Sequence, residues 1–118
     1  MKFLIVDDSA VDRHLMVNLL GQLGHQADTC ENTQGVIEKI ASGSYAALVL
    51  DIVMPEQDGY KFLRQLRSNP TTAKQHVILC SAKKTPIEIN YGLKRAGADD
   101  YLTKPATVKN LQDILQKI

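Results

Sequence analysis

Asp7, Asp8, Asp51, Ser81 and Lys104 each stand at the carboxyl end of a short, mostly apolar run of the chain. Three carboxylates brought together repel, and each raises the pKa of its neighbours. A hard divalent cation bound through oxygen offsets that repulsion. Magnesium favours few carboxylates, several waters and a substrate phosphate. Lys104 adds a second positive charge, and Ser81 adds a hydroxyl donor. A carboxylate nucleophile, a metal and two ligands for phosphoryl oxygens make up an acceptor site for phosphoryl transfer.

Each residue alone has a plainer use. An Asp after a strand forms a turn or caps a helix. A single Ser is a loop hydroxyl, and a single Lys is a solvated surface charge. The plainer account must hold independently at every one of these positions, so the convergence carries the reading.

The elements that would position these residues follow from the apolar pattern. Lys2-Phe3-Leu4-Ile5-Val6, Ala46-Ala47-Leu48-Val49-Leu50 and Val77-Ile78-Leu79-Cys80 read as strands buried on both faces. Gln26 to Cys30 and Asp100-Tyr101-Leu102-Thr103 read as two more. Between them lie helical patterns. The first is capped by Ser9, with Asp12 at the reciprocal position of a capping box, and stops at Gly24. Its expected apolar stripe is Val11, Leu15, Val17, Leu19, Leu20 and Leu23. Further helices are expected over residues 33–41, 58–67, 86–96 and 108–118. Asn69-Pro70 breaks the third helix, and Pro86 suits the first turn of the fourth. The alternation predicts an α/β domain spanning residues 1–118, a five-stranded parallel sheet wound on both faces by (βα)5 repeats. Ligands in such sheets bind beyond the carboxyl ends of the strands.

Composition narrows the function. Fourteen Lys and Arg oppose thirteen Asp and Glu, for a net charge of +1. That balance argues against direct nucleic-acid binding. Cys30 and Cys80 form no CxxC pair, and the histidines are scattered, which argues against a zinc site. No signal peptide is recognisable, and no run approaches the ~20 apolar residues of a membrane span. A cytoplasmic location is expected.

Five segments resemble the receiver domains of bacterial two-component response regulators. They are Val6-Asp7-Asp8-Ser9, the run from Leu50 to Gly59 that includes Asp51, Met54-Pro55 and Asp58, Ser81-Ala82-Lys83, the run from Gly97 to Leu102, and Thr103-Lys104-Pro105. They cover the chain in order and are together highly specific. The resemblance implies the CheY-like, flavodoxin-like strand order 2-1-3-4-5. It implies Asp51 as phosphoacceptor, and Mg2+ held by Asp7, Asp8, Asp51 and the backbone carbonyl of Val53. It implies Ser81 and Lys104 as phosphoryl ligands, Ser81 and Tyr101 as the switch pair, and a cis Lys104-Pro105 bond. The implied partners are a histidine kinase or phosphotransfer protein and a downstream protein bound on the fourth helix, fifth strand and last helix. The domain would promote only its own phosphorylation and dephosphorylation. Residues 83–92 resemble those of stand-alone regulators of motility systems.

Two positions depart from the commonest family pattern. Ser81 replaces a frequent Thr, keeping the hydroxyl without the methyl. Ala106 replaces a frequent Phe, removing apolar bulk beside the last helix. Other classes fit less well. A phosphorylation-independent pseudo-receiver usually lacks part of the acidic cluster or the lysine. A flavodoxin needs a Ser/Thr/Gly-rich loop where Asp7-Asp8-Ser9-Ala10 stands. A carboxylate-nucleophile phosphatase needs a cap insertion, and none is present.

Overall fold

The computed structural model describes residues 1–54 and 57–118. Pro55 and Glu56, which belong to one of the five resemblance segments, lie outside the described residues. The sheet strands are β1 (Lys2–Val6), β2 (Gln26–Cys30), β3 (Ala47–Asp51), β4 (Val77–Ser81) and β5 (Asp100–Thr103). They are all parallel, in the order β2-β1-β3-β4-β5. The helices are α1 (Ala10–Gln22), α2 (Val36–Ser42), α3 (Gly59–Ser68), α4 (Pro86–Asn90) and α5 (Val108–Leu115). A short antiparallel ribbon pairs Val53–Met54 with Gln57–Asp58.

Successive strand side chains point to opposite faces, and the core divides accordingly. Leu4, Val6, Leu48, Leu50 and Leu79 pack with α2 and α3 residues such as Ile40, Phe62 and Leu66. Phe3, Ile5, Val49, Ile78 and Cys80 pack with Met16, Leu19 and Leu20 of α1 and Leu111 and Ile114 of α5. Both faces are therefore covered, which is why β3 and β4 are buried along their full lengths. Among the described residues no helix is long and apolar enough to cross a membrane.

Four expectations shift. The first helix buries Met16, Leu19 and Leu20, whereas Val11 and Leu15 are exposed, so the stripe begins a turn later than expected. The second helix starts at Val36, because Gly35 takes a left-handed φ of 74° ahead of it. The fourth helix is regular only to Asn90, then widens into a π-helical turn over Tyr91–Arg95, closed by Ala96 N–H donating to Tyr91 O at 2.9 Å. Gly92 in that turn presses on the sheet. A Cβ there would come 2.9 Å from Leu79 Cδ1 and 3.2 Å from the Tyr101 ring. The last helix is regular to Leu115, short of the expected Ile118.

Candidate functional site

Strand register sets the site. Val6 pairs with Leu50, Asp51 with Cys80, and Ser81 with Thr103. Asp7, Asp51, Ser81 and Lys104 thus end or follow four neighbouring strands at one rim. Lys104 N–H donates to Ser81 O at 2.8 Å, continuing the ladder one step past β5. The Lys104-Pro105 peptide is cis. A cleft of about 460 Å³ is lined by Asp7, Asp8, Asp51, Val53, Ser81 and Lys104, among others. Every residue expected at the acceptor site therefore borders one space. Tyr101 does not line it.

Asp7 and Asp51 are each only 5 % exposed, while Asp8 is open to solvent. One ligand oxygen from each of the three lies within 4.8 Å of the others. Lys104 Nζ sits 3.0 Å from Asp7 Oδ2 and 3.6 Å from Asp51 Oδ1. Asp51 Oδ1 also accepts from Val53 N–H at 3.3 Å. Burial first, then the negative charge of Asp7, pushes the Asp51 carboxyl up to about 6; Lys104 and the Val53 N–H offset part of this, and Asp8 adds to it. Burial pulls the Lys104 ammonium down, but hydrogen bonds to Asp12 and Asp7 and the charge of Asp51 prevail and hold it above its usual value. Burial pushes the Cys80 thiol beneath the site up to about 12, so it is an apolar packing group and not a nucleophile.

The donor set fits a hard divalent cation. It consists of carboxylates held close with one lysine to share among them, and the Val53 backbone lies at the same cleft. Asp7, Asp8, Asp51 and the Val53 carbonyl would hold such an ion. When bound, it would neutralise phosphoryl oxygens.

Ser81 and Tyr101 both bond to the backbone of one residue, Lys83. Lys83 N–H donates to Ser81 Oγ at 3.1 Å, and Tyr101 Oη donates to Lys83 O at 2.7 Å. Lys83 thus links the Ser81 hydroxyl to the Tyr101 phenol.

Two residues of the site escaped the sequence reading. The Asp12 carboxylate lies 2.9 Å from Lys104 Nζ. Arg13 Nη1 donates to Asp7 O at 2.7 Å. Only half of the expected capping box forms. Ser9 Oγ accepts from Asp12 N–H at 3.2 Å, but Ser9 N–H donates to Asp7 Oδ1 at 2.9 Å. Asp7 satisfies that donor, which leaves the Asp12 side chain to Lys104. The available signal was position: Asp12 lies in the first turn of the helix that begins directly after Asp7 and Asp8.

Comparison with known proteins agrees with this architecture. The profile of the response regulator receiver domain matches residues 3–116, and the chain belongs to that family. It is 34% identical over 104 residues to a gliding motility regulatory protein of Myxococcus xanthus, covering 88% of this chain and 13% of the relative. It is 31% identical over 117 residues to the sensory/regulatory protein RpfC of Xanthomonas campestris pv. campestris, covering 98% of this chain and 16% of the relative. The chain thus spans less than one-fifth of the length of either relative.

Among solved structures, the fold matches the chemotaxis protein CheY4 of Vibrio cholerae with a TM-score of 0.86 at 24% identity, covering 99% of this chain and 97% of that one. It also matches the receiver domain of the sensor histidine kinase PA1611 of Pseudomonas aeruginosa, which has a magnesium ion coordinated in its active-site cleft. There the TM-score is 0.85 at 27% identity, covering 98% of this chain and 94% of that one. The chain is a receiver domain of two-component signalling, a signalling module.

Proposed function

We propose that Asp51 accepts a phosphoryl group from a histidine kinase or phosphotransfer protein, with Mg2+ held by Asp7, Asp8, Asp51 and the Val53 carbonyl. The observation that carries this is the buried Asp51 carboxylate, 3.6 Å from the Lys104 ammonium, in one cleft with two further acids and Ser81. The magnesium in the cleft of the Pseudomonas receiver supports the same reading of this cleft.

A carboxylate oxygen of Asp51 attacks phosphorus, and the donor's phosphorus–nitrogen bond breaks with its electron pair left on the nitrogen. Asp51 is rigid at the end of a fully buried strand, which holds the nucleophile in one orientation. Lys104 and Ser81 then pair with phosphoryl oxygens. Drawing Ser81 toward the phosphoryl group releases Lys83 and, through it, Tyr101. The face formed by α4, β5 and α5 changes and binds a downstream protein in the cytoplasm. The new charge shifts the conformational equilibrium through its different contacts in the two states. The domain catalyses only its own phosphorylation and dephosphorylation.

The test uses a small phosphodonor with magnesium and intact-mass measurement. Wild type should gain one phosphoryl group, and Asp51→Asn should gain none. Equal labelling of the two would overturn the assignment. A wild type that takes no label from any donor would leave a phosphorylation-independent interaction domain as the better reading.

A further inference from the structure

Asp12 has no part in the roles given above, yet it makes the shortest contact to Lys104. Its Oδ2 lies 2.9 Å from Nζ, against 3.0 Å for Asp7 and 3.6 Å for Asp51. An ammonium has three donors. With three carboxylates around it, a phosphoryl oxygen reaches Lys104 only by displacing one of them or sharing its donor. Asp7 and Asp51 follow or end sheet strands and face the cleft, so Lys104 can keep to their side while meeting a group on Asp51. Asp12 borders the same cleft from α1, so its hold on the ammonium is directed toward the helix.

The surroundings of Lys104 leave that choice to charge. A largely apolar cavity of about 230 Å³ extends from Asp7 and Asp51 to Leu15, Met16 and Ala106, and Asp12 and Lys104 also border it. With only a methyl group at Ala106, no bulky side chain at that position pins the lysine stem. The Asp12 side chain is 37% exposed, so water replaces the ammonium readily once the pair opens.

We infer that Asp12 is a positioning residue that competes with the phosphoryl group for Lys104, and so acts as a brake that favours the unphosphorylated state. The inference rests on Asp51 being the acceptor. It concerns the direction in which Lys104 is held and leaves the metal ligands as assigned.

The test is a titration of the full chain with beryllofluoride in saturating magnesium, followed by NMR. Asp12→Asn should bind about fivefold tighter than wild type, the scale of one partly exposed ion pair. Asp12→Glu keeps the charge and should stay close to wild type. Glu31→Gln removes an exposed acid that follows β2 at the same end of the sheet, and should also stay close to wild type because an exposed charge not paired with Lys104 is largely screened. In the unliganded protein, the Lys104 Nζ resonance should move in Asp12→Asn and not in Glu31→Gln.

Asp12→Asn binding no tighter than Glu31→Gln would overturn the inference. So would an Asp12→Glu as tight as Asp12→Asn, or a gain found equally in magnesium affinity measured without the fluoride. If wild type itself gives no saturable response, or one shared by Asp51→Asn, the acceptor reading fails and the inference falls with it.

Discussion

On the α1 flank of the cleft, Met16, Leu19 and Leu20 are buried against the sheet. Asp7 there holds Ser9, Arg13 and Lys104 through its carboxylate and carbonyl, and its N–H donates to Cys30 O. On the α4 flank no residue of the regular helix is buried, and Ile87 is 83% exposed. That flank is fastened further along, by Leu93 and Ala96 against the core, the close packing of Gly92 on Leu79 and Tyr101, an edge-on pair of Tyr60 and Tyr91 rings, and the Tyr101–Lys83 hydrogen bond. Local opening is cheapest where few apolar contacts are lost. One flank is built to hold geometry, and the other is free to change it at little cost.

Paired substitutions probe this contrast most strongly. Leu20→Ala should cost about 3 kcal/mol, because a fully buried side chain leaves a cavity. Ile87→Ala should change stability by less than about 0.5 kcal/mol. Urea unfolding of both variants measures the difference, and equal losses would erase the contrast between the flanks.

A smaller effect belongs to the charges between the flanks. The Asp51 carboxyl stands at about 6 in the fold against 3.8 ordinarily. A raised folded value means the stabilising contribution is full below the unfolded pKa and is lost as pH rises through the folded one. At about pH 7.5 without metal, Asp51→Asn should therefore be more stable than wild type by about 2 kcal/mol. The gap should close as pH falls through 6 toward 4, where wild-type Asp51 is itself protonated. A variant less stable than wild type at neutral pH would mean that burial and the charge of Asp7 do not penalise the ionised Asp51 carboxylate.

The smallest effect sharpens the α4 side. Tyr101→Phe removes the hydrogen bond to Lys83 O and should cost less than about 1 kcal/mol globally. Amide exchange over residues 82–90 should nevertheless quicken, with α1 amides unchanged. Faster exchange in α1 as well would show that the flanks open together.

The order of elements and the rim residues were legible in the sequence because both are local properties. A strand buried on two faces is a continuous apolar run, and the polar residue that stops it is also the residue at the sheet's edge. The strand order came through resemblance, since nothing in a single run says which run lies beside it. Tertiary structure alone decided the rest. The start of α2 turned on the left-handed Gly35, and the widening after Asn90 accompanies the close packing of Gly92 on Leu79 and Tyr101. Asp12 is the clearest case. Its spacing from Ser9 suits a capping box, but Ser9 N–H has Asp7 within reach, and Lys104, 92 residues further along the chain, takes the freed carboxylate. A local hydrogen-bonding group with two possible partners is settled by whichever charge the fold brings nearest, and no short stretch of sequence contains that charge.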